Sequence, residues 1–129
     1  MPYADASSVS GDAVLEQTEY SYNKNGAVVL TVNRSRNHDE STTGALGDQS
    51  TAPKARVTYA TAFYDAIDRT LASVAYGTNG GTSVSAPLET DSVPSRSDTV
   101  LVTSMTYTAA GYSDEVTHPK ALVNKTYYD

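Results

Sequence analysis

The 129-residue chain has no cysteine and no tryptophan. The first absence removes disulfides, thiolate metal sites and cysteine nucleophiles together. It leaves the compartment open, because many large exported bacterial proteins also avoid cysteine. No apolar run approaches the roughly 18 to 20 residues that a membrane-crossing helix needs. Positive charge is scarce: nine Lys and Arg against fifteen Asp and Glu give a formal net charge of −6. Such a surface repels a phosphate backbone, which argues against nucleic acid as a partner. Met1-Pro2-Tyr3-Ala4-Asp5 lacks the basic and apolar regions of a signal peptide. The chain is therefore expected to be either cytosolic or an internal piece of a larger protein behind an initiator Met. Its end at Tyr128-Asp129, partway through a repeated pattern, favours the piece.

The hydrophobic residues, 39% of the chain, are unusual in kind: ten Tyr against one Phe and two Met, with many Val and Ala beside abundant Thr and Ser. Val, Thr and Tyr suit a pleated, half-buried surface, and few long helix-formers offset them. The composition predicts an all-β chain, with a modest core in one domain.

Three stretches share one plan, an extended aromatic-ended run, a short polar turn and a second extended run: 20–32, 63–74 and 105–117. A fourth begins before the chain stops. The tyrosines that precede each turn, Tyr22, Tyr64, Tyr107 and Tyr128, lie 42, 43 and 21 residues apart, close to two, two and one units of 21. A period of that length points to stacked supersecondary units. Copies are expected around 14–34, 54–76 and 98–117, with a partial copy at 118–129, a small polar arm at 1–13 and long loops at 35–53 and 77–97. The architecture predicted is about seven strands joined as successive antiparallel hairpins, in a repeat-type sheet or a small sandwich.

These residues resemble the Tyr-Asp (YD, or Rhs) repeat family, whose pattern is aromatic-x-Tyr-Asp, two residues, Gly-Arg, an extended run and Thr-x-Pro-x-Gly. The resemblance rests on Phe63-Tyr64-Asp65 with Arg69, on Tyr22-Asn23 with Gly26, on Tyr107 with Gly111, and on Thr117-His118-Pro119 leading to Tyr127-Tyr128-Asp129. Asp68 stands where the family has Gly, Asn23 and Thr108 stand for Asp, Ala121 stands for the last Gly, and Arg69 alone keeps the Arg. The match covers about half of the chain. It implies a β-hairpin repeat that coils into sheet spirals or hollow shells in secreted or surface-exposed proteins, with toxic or catalytic parts in other domains.

Along the chain, Asn23-Lys24-Asn25-Gly26 reads as a hairpin turn in which Asn25 and Gly26 can take positive φ. A calcium loop there would need carboxylates and a distant Glu that are missing. Val28, Leu30 and Val32 are expected on one face of the following strand, and Val57, Tyr59 and Phe63 on one face of the next. Leu101, Met105 and Tyr107 should share a face opposite Val100 and Val102. The two long loops read as surface insertions, functional or disordered, where binding could reside. His38-Asp39-Glu40 tempts a metal reading, but adjacent residues of an extended chain point opposite ways and the set is incomplete, so a solvated charged loop is expected. Asp65 and Asp68 sit within one turn, too close for a glycosidase pair across a cleft. Asp65 is instead expected to bind the turn backbone and Arg69 a nearby carboxylate. Both histidines, His38 and His118, fall in predicted loops. Asn33-Arg34-Ser35 and Asn124-Lys125-Thr126 are glycosylation sequons only in a host that uses them.

No nucleophile with its base, phosphate loop or metal-ligand spacing appears, so neither catalysis nor a cofactor is expected. The leading expectation is a structural β-repeat module of a larger secreted or cell-surface protein, forming a shell, stalk or filament. Its partners would be adjacent repeats or further copies of itself, joined through the edge strands 14–22 and 122–128. The alternative is a carbohydrate- or protein-binding module using exposed tyrosines, Tyr76 and Tyr112 among them, and the two long loops.

Overall fold

In a computed structural model, described over residues 8–128, the chain forms one seven-stranded sheet. The strands are β1 (Glu16–Tyr22), β2 (Val28–Arg36), β3 (Ala55–Tyr64), β4 (Thr70–Gly77), β5 (Leu101–Tyr107), β6 (Ser113–Thr117) and β7 (Val123–Lys125). Each pairs antiparallel with its neighbours in sequence, so the order is β1 to β7 without a crossover. This is the all-β run of hairpins that composition and alternation predict, realised as one open sheet and not as a sandwich. The only helical element among the described residues is one 3-10 turn, Asn79–Gly81.

Alternation sends one side chain in two to each face. The register aligns Leu30 with Thr61 and Val74, Val32 with Tyr59, and Val74 with Val102, so these side chains share a face. That face holds the core: Leu30, Val32, Val57, Phe63, Ala72, Val74 and Val102 are all buried. Leu101 on the other face is 45% exposed. Around it that second face carries mostly Thr, Ala, Ser and Asn. In β2, Leu30 and Val32 take the core face as expected, and only Val28 departs. A bulge between Val28 and Leu30 sets Val29 among the buried residues and leaves Val28 at the hairpin end, because one extra residue reverses the alternation beyond it.

The apolar face must be covered, and the two long loops cover it. Leu46, midway along the first, is 5% exposed, and Val84 and Ala86 of the second pack on Leu30, Val32 and Val57. Most residues of both segments are exposed, as surface insertions should be, and hydrophobic periodicity is absent because they supply single apolar residues to a face, not a strand of their own. Irregular chain on an apolar surface leaves carbonyls without ladder partners, and arginines satisfy them. Arg34 donates to the Gly47 carbonyl at 2.6 Å, and Arg36 to those of Glu40 and Thr42 at 2.9 and 2.7 Å. Arg96 does the reverse, tying the second loop to the sheet through the strand carbonyls of Val102 and Thr117 and the Ser104 hydroxyl. Gly47 is required sterically, since a Cβ there would lie 2.1 Å from the Thr51 carbonyl oxygen.

Two carboxylates pin the first loop from within. Glu40 accepts the Lys54 N–H at 2.6 Å and the Thr42 N–H and hydroxyl at 2.8 and 2.7 Å. Asp48 accepts the N–H groups of Ser50 and Thr51 and the Ser50 hydroxyl. Hydrogen bonds to the ionised form hold both well below the ordinary range, Glu40 at about 2 through Lys54 first, and Asp48 at about 2 through Ser50 first. Of His38-Asp39-Glu40, Glu40 is thus a loop tie, while His38 and Asp39 are exposed.

Two consequences are measurable. Leu46→Ala should lower unfolding stability by about 2–4 kcal/mol in urea titration, as a core truncation does; a solvated loop would lose almost nothing. The folded pKa values of Glu40 and Asp48 lie below their unfolded ones, so their stabilisation is complete above the ordinary carboxylate range and disappears as pH falls from about 4.5 towards 2. The urea midpoint should fall through that window, and more shallowly in Glu40→Gln, which starts from a lower midpoint at pH 7.

Candidate functional site

The residues singled out by the repeat gather at one end of the sheet, where three hairpin turns stand in a row. In the first, the Asn23 N–H donates to the Ala27 carbonyl at 2.9 Å and the Gly26 N–H to the Asn23 carbonyl at 3.0 Å. Asp65 to Arg69 repeats this at 2.9 and 3.0 Å, and Thr108 to Tyr112 at 2.8 and 2.9 Å. The fourth residue of each turn is left-handed: Gly26 (φ 85°), Asp68 (φ 61°) and Gly111 (φ 88°). This is a short hairpin loop closed by a left-handed residue, a position where Gly has no Cβ penalty and Asp is tolerated. His118-Pro119-Lys120-Ala121 forms the same turn at the opposite end of the sheet, with Ala121 at φ 60°. Pro119 belongs there and does not join the row.

The first residue of each turn in the row ties down its own backbone. The Asn23 side chain accepts the N–H groups of Asn25 and Ala27, and Asp65 accepts those of Ile67 and Arg69. Thr108 does the same for Tyr112 at 3.2 Å. Arg69 Nε also donates to Asp65 at 2.7 Å. Desolvation is the largest single influence on the Asp65 carboxyl and pushes it up; the hydrogen bonds from Arg69 and Ile67 together outweigh it and hold the group below its ordinary value. Asp65 is a backbone anchor, as the spacing predicts, and Asp68 points elsewhere, accepting Asn25 Nδ2 on both oxygens at 3.0 Å.

The marker tyrosines hold one copy to the next. The Tyr64 hydroxyl donates to the Val28 carbonyl at 2.8 Å, Tyr107 to Thr70 at 2.6 Å, and Tyr128 to Ser113 at 2.7 Å. Each acceptor lies six residues past the preceding marker tyrosine and faces it across its own hairpin: Tyr22 pairs with Val28, Tyr64 with Thr70 and Tyr107 with Ser113. In all three hairpins the register shifts at that point. The bulge leaves a carbonyl free of the regular ladder, and the next tyrosine takes it. Side chains of the turns add to the joint. The Arg69 guanidinium lies 4.3 Å from the centre of the Tyr107 ring, and Tyr112 and Tyr128 have ring centroids 5.0 Å apart.

The structure thus brings together Tyr22, Asn23, Gly26, Tyr64, Asp65, Arg69, Tyr107, Gly111 and Tyr128. Asp129 lies outside the described residues. Sequence reasoning missed the acceptors Val28, Thr70 and Ser113 and the Asn25–Asp68 contact. The constant six-residue offset was the available signal for the acceptors, but a backbone carbonyl carries no residue identity. Tyr76 is half-buried, packed on the core with its hydroxyl 3.3 Å from that of Thr61.

Two hollows remain. One, of about 360 Å³, lies between the turn row and the segment 87–93, with Phe63 and Leu71 in its lining and the Lys24–Glu89 pair, 2.8 Å apart, at its rim. The other, of about 630 Å³, opens near Tyr59, Arg56 and Gln49 between the two loops. Among the described residues no group of three or more His, Cys, Asp or Glu is placed to hold a metal, and no helix is long and apolar enough to cross a membrane. No family model, curated protein or solved structure matches this chain.

The turn geometry is testable at its left-handed positions. Gly26→Val and Gly111→Val should each lower stability by about 1 kcal/mol or more, whereas Ala121→Gly should raise it by roughly 0.5 kcal/mol by relieving a Cβ from the same conformation. Chemical denaturation of the three variants decides whether the four turns are equivalent.

Proposed function

We propose that the chain is a structural β-repeat module that lengthens a sheet within a larger secreted or cell-surface assembly. The observation that carries this reading is the tyrosine-to-carbonyl joint, made three times at the same repeat position. Each joint runs between copies, so every copy presents to the next what the previous one presented to it. That is the nearest-neighbour logic of a stacked array, in which stability accrues by interfaces and not by a closed core. The resemblance to Tyr-Asp repeats supports a shell or stalk, and the secreted or surface location rests on that resemblance alone.

The reading as a glycan- or protein-binding module fits the geometry less well. Tyr76 packs on the core, the Tyr112 ring, though 58% exposed, leans on that of Tyr128, and each long loop lends apolar residues to cover the sheet. No catalytic role is proposed, since the carboxylates of the turn row are occupied by turn backbone and by neighbouring side chains.

Duplication of an interior copy tests the module directly. Inserting a second copy of residues 55–98 after the first should yield nine strands, with the duplicated Tyr64 reaching the Thr70 carbonyl as Tyr107 now does. The product should unfold in one transition at a higher denaturant midpoint than the parent. An added segment that melts separately, or that lowers the midpoint, would overturn the proposal.

A further inference from the structure

The outer edge of β1 is the place where the repeat geometry is left incomplete, and it specifies a partner more closely than an ordinary sheet edge does. This inference rests on the sheet-lengthening reading. Tyr22 occupies the marker position, its side chain is exposed, and its hydroxyl has no hydrogen-bond partner among the described residues, whereas Tyr64, Tyr107 and Tyr128 all have one.

Strand direction then narrows the choice. In a seven-strand antiparallel meander, β1 and β7 run the same way, both towards the turn row. Sheet continuation of β7 onto the β1 of a second copy in the same orientation would be parallel, and antiparallel pairing would require one copy to be inverted. An inverted copy brings β7 to Tyr22 behind the 118–121 turn, but that hairpin has no register shift to supply a bulge carbonyl, and the fifth residue of its turn is Leu122. The strands that run away from the turn row are β2, β4 and β6, and each is already paired on both sides. A second copy of this chain therefore has no free strand that combines the required direction with a bulge carbonyl and an Arg or aromatic after its turn.

We infer that the β1 edge binds a strand from another repeat of the same type, one that leaves a tight turn at the turn-row end and runs antiparallel to β1. Such a strand sets the carbonyl six residues past its own marker tyrosine against the Tyr22 hydroxyl. The fifth residue of its turn, Arg or an aromatic, lies on the Tyr22 ring, as Arg69 lies on Tyr107 and Tyr112 on Tyr128. The tyrosine sets the register: a strand slipped by one residue offers its side chains to the wrong face and no bulge carbonyl to the phenol.

A synthetic peptide with the sequence of residues 65–77, titrated into the full chain and followed by backbone amide NMR, tests the assignment. Amides of β1 should shift. Tyr22→Phe should weaken binding about three- to tenfold, the fold-change of one lost hydrogen bond, and Arg69→Ala in the peptide should weaken it too. A peptide of residues 122–128 should leave β1 unperturbed. No shift at β1, equal affinity for the Tyr22→Phe protein, or equal binding of the 122–128 peptide would overturn the inference. Tyr64→Phe separates the two readings. If that variant is destabilised and the duplicated chain is stabilised while the peptide ignores Tyr22, sheet lengthening stands and this partner falls.

Discussion

A single sheet with one apolar face has to be covered by something, and here the cover is irregular chain. That constraint orders the rest of the molecule. Seven strands bring Leu30, Val57, Phe63, Val74 and Val102 to one side, and no second sheet or helix is present among the described residues to bury them. The loops 37–54 and 78–100 therefore run back over the face from the same end of the sheet. The carbonyls of the first loop would be stranded there without donors, which explains why Arg34 and Arg36 are spent on backbone oxygens and not on surface ion pairs alone. Small polar side chains dominate the opposite face, which needs no cover.

With both loops at one end, the other end is left to the tight turns, and it is there that copies recognise each other. The bulge beside each marker tyrosine does two things at once. It bends the hairpin so that its extra residue, Val29 or Leu71, turns towards the core, and it releases a carbonyl for the next tyrosine. A phenol suits this task because its hydroxyl donates a hydrogen bond while its ring offers a flat surface to Arg69 or Tyr112. Phe would keep the ring and lose the joint. That requirement accounts for tyrosine instead of phenylalanine at three of the ten tyrosine positions, Tyr64, Tyr107 and Tyr128.

The same geometry separates two ideas about association that look alike in sequence. An exposed β-prone strand at each edge suggests copies joining edge to edge. An odd number of strands makes that joint parallel unless one partner is inverted, and an inverted β7 follows a turn without the register shift seen beside Tyr22, Tyr64 and Tyr107. Direction and the position of the bulges, not composition, separate the two.

How far each of these features was legible beforehand depends on how local its cause is. Strand identity follows from the alternation of Val, Thr and Tyr, and the turns follow from Asn25-Gly26, Asp65 and Gly111, because a period of two and a left-handed residue act within a few residues of chain. The equivalence of Asp68 and Ala121 with the glycines was readable from the repeat spacing, and the left-handed φ values agree with it. The shift of Val28 to Val29 was not readable, because a bulge arises from pairing between strands and leaves no mark on one strand alone. Nor was the role of the loops, since Leu46 and Val84 are isolated apolar residues whose meaning depends on which surface lies beneath them. The tyrosine joint lies between these cases. Its donors recur visibly at Tyr64, Tyr107 and Tyr128, but its acceptors are backbone atoms of Val28, Thr70 and Ser113, residues with nothing in common except position. Sequence alone determined the strands, the turns and the repeat, whose causes are local. Only the tertiary structure decided what covers the sheet and what joins the copies, because those interactions are made between backbone and side chains far apart in the chain.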